Sequence, residues 1–419
     1  MADSTDDSSV SPLAVPAFRK YLAARWLASV SVQMMSVAVG VQVYAATGRT
    51  QDLALVGLVQ FVPMLVCVLP AGRAADTWDG RSVAWWCDVA FALCAAVLFA
   101  CADAGRSAMP WVYAALALLG VGRSFYGPAV SSLVPRLVGP ERLSRAVAMQ
   151  AGAWQTAAIG GPALTGLLLV SGRPRHVYAV ALVGTFVALA LMGWLRLDRS
   201  VEPVRHDRDE PRGRGALEGL RFVFGHDLLL SVLLLDFLAV FLGGATALIP
   251  VIVKDELHMG GNVVGWLRAA PAVGAACVSL WLARNPIRAK AGQKLLVSVA
   301  VFGAGTIVFG LSKSVWLSGL ALLVIGAADT ISVVVRGTLV QHATPASMRG
   351  RVSAVNQLFV SASNELGEFE SGMLATWLGA VSAVVIGGVG TIAVVAGTAA
   401  RFRVLRELER VEDCAPRQG

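Results

Sequence analysis

Residues 351–377 read RVSAVNQLFVSASNELGEFESGMLATW, a proline-free run long enough to cross a bilayer yet carrying Glu365, Glu368 and Glu370. At roughly 3 kcal/mol for each ionised group at bilayer depth, a lone lipid-facing helix with three carboxylates would be unstable. Helical spacing offers a way out. Gln357, Ser361, Asn364, Glu365, Glu368, Ser371 and Gly372 fall at i, i+3, i+4 and i+7 steps and form one polar stripe. Glu370 lies off that stripe, near Ser363 and Gly367. Such a helix must turn its stripe toward protein or water, so the chain is expected to enclose a polar pathway. The plainer alternative is that the acids pair with arginines only to lock helices together.

Working outward, the rest of the chain is apolar to match. Of 419 residues, 56% are hydrophobic and only 15% charged, and the mean hydropathy is +0.67. Soluble domains carry about a quarter charged residues, so this composition describes a polytopic membrane protein. Apolar runs of roughly 20 residues recur at 21–46, 53–71, 83–103, 110–134, 146–171 and 176–196. A second set follows at 228–253, 263–283, 294–312, 315–337, 352–376 and 380–401. The expected fold is therefore all-α, with twelve transmembrane helices in two six-helix halves. The expected parts are a disordered tail (1–17), an N-terminal half (18–196), a polar, basic linker (197–226), a C-terminal half (227–401) and a tail (402–419). The first seventeen residues are acidic and serine-rich and lack the basic start of a signal peptide.

The formal charge of +8 could suggest nucleic acid, but its distribution speaks for topology. Arg73, Arg81, Arg136, Arg142, Arg145, the arginines from Arg196 to Arg221, Arg284, Arg288, Lys290 and Lys294 all fall in alternate loops. Few basic residues fall on the other side: Arg49, Arg106, Arg173, Arg175, Lys254 and Lys313. That imbalance places both termini in the cytoplasm of a bacterial inner membrane. Nucleic acid is not an expected partner. Six cysteines show no disulfide or zinc spacing, and the five histidines form no metal-ligand pair. With no phosphate-binding G-x-x-x-x-G-K-[ST] and no nucleophile motif, no catalytic role, metal or cofactor is expected.

Three motifs give the chain a family likeness. Loop PAGRAADTWDGRSV supplies Gly72, Asp76, Gly80 and Arg81, where Arg81 could tether the halves from the cytoplasmic side. It resembles the G-x-L-A-D-R-x-G-R-K signature of the major facilitator superfamily. Ala74 stands for the leucine, Thr77 for the first arginine and Ser82 for the lysine. In the fourth span, GVGRSFYGPAVSSLVP sets Arg123 about midway through the membrane, like the superfamily arginine implicated in proton coupling. The fifth span, GAWQTAAIGGPALTG, presents Gly160, Gly161, Pro162 and Gly166. Its small residues permit tight crossings and its proline a kink. It resembles the glycine-proline motif of superfamily antiporters.

At closer range, FRKYLAARWLASVSVQM, LVGLVQFVPMLVCVLPAG, LLLDFLAVFLGGATALIPV and TPASMRGRVSAVNQLFVSASNELGEFESG look like the enterobactin-exporter and macrolide-efflux branch. That resemblance implies an exporter of a siderophore, drug or other small organic molecule, working by alternating access and driven by proton exchange. The proton-coupling candidates are Asp236, then Glu365 or Glu368, with Asp329 nearly level and Arg123 as the coupling cation. Gln33, Trp154 and Asn356 are candidates for the substrate cavity. Asp88, near the inner interface, reads as structural. Two other functions remain open: an importer or facilitator on the same fold, and a non-transporting membrane scaffold or sensor. No oligomer is required by any of these readings.

Overall fold

The computed structural model describes residues 11–195, 212–285, 290–345 and 348–408. The remaining tail residues and 197–211 of the expected linker lie outside the described residues. Every regular element is helical among those described. Six long helices come first: α1 (Pro16–Thr47), α2 (Thr50–Thr77), α3 (Gly80–Cys101), α4 (Gly105–Gly139), α5 (Glu141–Ser171) and α6 (Pro174–Gly193). A short helix α7 (Arg212–Phe224) precedes α8 (Asp227–Glu256), α9 (Gly261–Arg284), α10 (Ala291–Leu311) and α11 (Val315–Ala343). The chain then runs through α12 (Arg349–Leu378), α13 (Ala380–Arg401) and the brief α14 (Arg403–Glu407). Eleven of these helices are apolar and long enough to cross a membrane. Adding α12, whose charges set it apart, gives the twelve expected.

The chain divides into two compact units. Unit 1 comprises Met1–Thr47 and Val59–His206, and unit 2 comprises Gly48–Leu58 and Asp207–Gly419, so the first turns of α2 count with unit 2.

Inside unit 1, several buried polar groups are satisfied by reaching a neighbouring helix, which matters where no water is available. Tyr178 of α6 donates to Gln42 Oε1 on α1 (2.6 Å), and Gln42 donates in turn to the Cys101 carbonyl ending α3 (2.9 Å). Tyr21 near the start of α1 donates to the Val130 carbonyl of α4 (2.8 Å) and accepts from Gln150 of α5 (2.7 Å). The turn from α4 into α5 rests on Gly139, at φ +71°, a conformation that favours a residue without Cβ.

Unit 2 is closed at one end by an apolar cluster that includes Val223, Leu228, Leu295, Leu339, Val352 and Leu405. Helix α7 falls inside the segment expected to be a plain linker. Its Leu220 and Val223 join this cluster, and Glu218 pairs with Arg351 of α12 at 2.8 Å. Thirteen residues of RGRGALEGLRFVF would be a marginal helix in isolation; docking of one apolar face stabilises it. Leu405 of α14 is likewise buried, so part of the expected C-terminal tail packs into the same cluster. On the α9–α11 side, Gly274 and Gly326 lie against the backbones of Leu323 and Pro271, which only small residues allow.

Candidate functional site

The seventh span is not one continuous helix. It is regular from Asp227 to Leu242, breaks at Gly243–Gly244, runs as a 3-10 turn over Ala245–Leu248 and resumes at Ile249. Adjacent glycines lower helix propensity by about 1 kcal/mol each relative to alanine. They also let neighbours close in on the break. A Cβ on Gly244 would strike the Gly367 backbone and come within 2.9 Å of Ser371 Oγ, both on α12. A Cβ on Gly367 would in turn come 2.8 Å from the Val240 and Phe241 carbonyls at the end of the first half-helix. Gly387 of α13 faces the Leu242 carbonyl, and Phe302 of α10 covers Gly243. Discontinuous helices of this kind present their terminal dipoles and unwound backbone to a site.

A cavity of about 270 Å³ lies beside the break, within unit 2. Its polar lining comes from α8 (Asp236, Thr246), α11 (Asp329, Arg336) and α12 (Asn364, Glu368). Asp236, Val240 and Gly243 fall one and two turns apart on one face, which aims the carboxylate and the break into the same space. Asp329 and Arg336 are likewise two turns apart on α11. Arg336 Nη1 is 2.5 Å from Asp236 Oδ2 and also donates to Asn356 Oδ1 at 3.3 Å. Arg336 Nε is buried without a hydrogen-bond partner, so this guanidinium is only partly satisfied. Asp329 is within electrostatic reach of both Asp236 and Arg336. Three carboxylates and one guanidinium thus line the cavity, with Asp236 the one paired to Arg336 among the described contacts.

The other α12 residues are distributed around the helix. Glu368 also lies beside Gly57 on the first part of α2, whose added Cβ would be 3.3 Å from Glu368 Cβ. Glu365 is half-buried, with its carbonyl oxygen 3.2 Å from the same position, and does not line the cavity. Glu370 is half-buried too and accepts a hydrogen bond from Ser371 (3.4 Å). Gly372 packs on Ala54. The stripe read from spacing therefore has two jobs: Asn364 and Glu368 face the cavity, while Ser371 and Gly372, together with Gly367 off the stripe, let helices touch.

The remaining sequence-derived residues belong to unit 1. Arg123 is exposed and donates to Gln60 Oε1 on α2 at 3.4 Å. Gly161 packs on α1, where an added Cβ would come 2.6 Å from Gln33 Cβ. Gly160 has open space around it, and Pro162 and Gly166 are buried. Trp154 is 53% exposed. Gly80 lies against Ser132 and Ala129 of α4. Gly72 and Asp76 have a helical backbone within α2 and otherwise lie outside the described residues.

Arg81 and Asp88 also belong to unit 1. Arg81, read as able to tether the halves, donates to the Met192 and Gly193 carbonyls (3.3 and 2.5 Å) and caps the end of α6. Unpaired carbonyls and the negative end of the dipole attract such a cation. Asp88, read as structural, is 1% exposed, and neither carboxylate oxygen has a hydrogen-bond partner. The sequence reading also passed over Asp79, which accepts from Ser82 at the start of α3 and pairs with Arg136 of α4 at 3.0 Å. It passed over the helix break as well, although Gly243–Gly244 in an apolar span was a usable signal.

Twelve membrane-length helices and a charged cavity beside a broken span define a multi-pass transporter of the major facilitator fold. The family profile described as "Transmembrane secretion effector" matches residues 7–418, and the chain belongs to that family. It is similar to the enterobactin exporter EntS of Citrobacter koseri, with 28% identity over 90% of this chain and 86% of the relative. EntS of Escherichia coli is 27% identical over the same shares. These similarities place it in the enterobactin-exporter branch of a transporter superfamily, not among enzymes. A POT family transporter crystallised with 5-aminolevulinic acid superposes with a TM-score of 0.72 at 14% identity, covering 93% of this chain and 96% of that one. A bacterial homologue of ferroportin gives 0.68 at 16% identity, covering 91% and 98%. At such identities these likenesses speak for the fold alone.

Proposed function

We propose that this protein is an inner-membrane exporter that expels a siderophore-like small organic molecule in exchange for protons by alternating access. The observation that carries the coupling is the unit 2 cavity, where Asp236 and Arg336 pair in reach of two further acids. The siderophore class follows from the printed function of the relatives, enterobactin export. Export rather than import follows from the same names. Both termini face the cytoplasm, on the distribution of basic loop residues, and the functional halves are 18–196 and 227–401 joined by 197–226.

In this reading Asp236 is the first proton carrier. A proton arriving at Asp236 dissolves its ion pair and releases the Arg336 guanidinium to Asp329 or Glu368, both on the cavity wall. Deprotonation toward the cytoplasm restores the pair. Each elementary charge moved inward down the potential contributes about 2.3 kcal/mol per 100 mV. Glu365 is the second candidate carrier alongside Glu368. Arg123 is the coupling cation of this reading, and Gln33, Trp154 and Asn356 are its substrate-contact candidates. Gly72, Asp76, Gly80 and Arg81 shape the gating loop, and Gly160, Gly161, Pro162 and Gly166 shape the fifth span of an antiporter. No oligomer is required by this reading.

Inside-out vesicles with an acidified lumen and a pH-sensitive dye test the reading. Adding a catechol siderophore should alkalinise the lumen of vesicles with the unaltered protein, and Asp236→Asn should abolish the response. Siderophore movement without any proton signal would overturn the coupling. A proton signal on adding a macrolide or lipophilic cation, with none for siderophore, would overturn the substrate class.

A further inference from the structure

A groove of about 420 Å³ runs between α3 and α4 in unit 1. Trp86 and Ala90 of α3 and Val121 and Phe125 of α4 give it apolar walls. Trp78 stands in the lining just beyond the end of α2, and Ser82 is its one hydroxyl. Trp78 and Trp86 are each 66% exposed, so the groove opens outward. Helix α3 is apolar and long enough to cross a membrane, and what meets the groove is therefore the bilayer. From Ser82 to Ala90 it follows α3 for about 12 Å, at 1.5 Å of rise per residue. One leaflet supplies about 15 Å of hydrocarbon, half of the whole core, so the groove fits within a single leaflet.

Those dimensions choose the occupant. A helix is about 10 Å across, and a 12 Å length of one would displace roughly 900 Å³, about twice the space present. A single extended hydrocarbon chain is narrow enough to lie along the walls. The polar end of the groove says what the chain is attached to. Ser82 Oγ donates to Asp79 Oδ2 at 3.2 Å, and Asp79 Oδ1 pairs with Arg136 Nη1 of α4 at 3.0 Å. The Arg136 side chain stays 23% exposed, and its Nε has no hydrogen-bond partner, so its donors are not all taken. At this end of unit 1, Arg81, Arg136, Arg142 and Arg145 outnumber Asp79 and Glu141. Arginines grouped at the cytoplasmic end of membrane helices attract acidic lipid head groups, and a guanidinium matches phosphate geometry.

We propose that this groove binds an acidic phospholipid, with one acyl chain along α3 between Trp86 and Phe125 and the phosphate at Arg136. From the functional reading above the site takes only the cytoplasmic placement of the α2–α3 loop, which makes the lipid one of the inner leaflet.

The test is tryptophan quenching in the full-length protein, held in phosphatidylcholine nanodiscs that contain rising fractions of chain-brominated phosphatidylglycerol or chain-brominated phosphatidylcholine. The Trp86 signal is the difference between the unaltered protein and Trp86→Phe. With brominated phosphatidylglycerol its quenching should reach a midpoint at a mole fraction about fivefold lower, the preference that one engaged arginine supplies. Ala90→Phe fills the groove and Arg136→Gln removes the phosphate contact; either should bring the two lipids to the same midpoint. Should Ala90→Phe not fold, Arg136→Gln still decides, because its pair with Asp79 is partly exposed. Equal midpoints in the unaltered protein, or a preference that survives Arg136→Gln, overturn the proposal. Because no transport is read, such a failure leaves the export reading where it stands.

Discussion

Asp88 in unit 1 and Asp236 in unit 2 are buried alike, 1% and 5% exposed, but only Asp236 has an ionic partner. The surroundings differ in the same sense. At Asp88 helix α3 is continuous, and one turn on Phe91 packs edge-on against Tyr126. Around Asp236 the helix breaks, a cavity opens and two more acids look in. Burial alone therefore does not say what an intramembrane acid does. The lesson lies in the neighbours: a lone acid must manage its charge with a proton, whereas a crowded one can trade an arginine.

The sharpest way to break this contrast is to delete charges one at a time. Arg336→Leu strands Asp236, and removal of one partner of a buried pair destabilises by about 3–5 kcal/mol. Thermal unfolding in detergent should show that loss, and should show most of it recovered when Asp236→Leu is added. Asp88→Asn, with no pair to break, should melt near the unaltered protein. Equal losses at both aspartates would erase the distinction.

Packing offers a second comparison. Gly244→Val must push into the Gly367 backbone and should destabilise by about 1–3 kcal/mol. Gly160→Ala meets nothing within 4 Å and should stabilise its helix by up to about 1 kcal/mol. Urea titration of the two variants gives the ordering, and a reversed order would mean that the break in α8 is not held by α12. Smallest are the surface devices of unit 1. Arg81→Gln removes a helix-end cation and should lower stability by about 0.3–1 kcal/mol. Arg136→Ala opens a partly exposed pair with Asp79, where solvent screening leaves at most about 1 kcal/mol. A larger loss for either than for Gly244→Val would place the load-carrying contacts in the loop instead.

Twelve spans were legible because bilayer thickness imposes a length and lipid imposes a composition, and 228–253 satisfies both. The break inside that run was not, since Gly243 and Gly244 leave the hydropathy unchanged while ending the helix. Helix α7 was hidden for the opposite reason. Its sequence is weak, and it forms because Leu220, Val223 and Glu218 find partners on other helices. At the site, periodicity put Asn364 and Glu368 on one face and they do share the cavity, while Glu365, read as part of the same stripe, does not line it. Arg336 was visible as a charge but not as the partner of Asp236, because the two lie 100 residues apart in sequence. Pairing across helices is a property of packing, which spacing within one helix cannot supply.

The composition of α12 also has a consequence for how that helix is kept in the membrane. Helix α12 is missing from the helices apolar enough to span on their own account, and it is followed at once by α13, with only Gly379 between them. A helix of this composition is held in the bilayer by its neighbours, and the close approach of Gly367 to Gly244 of α8 is one of the contacts that hold it.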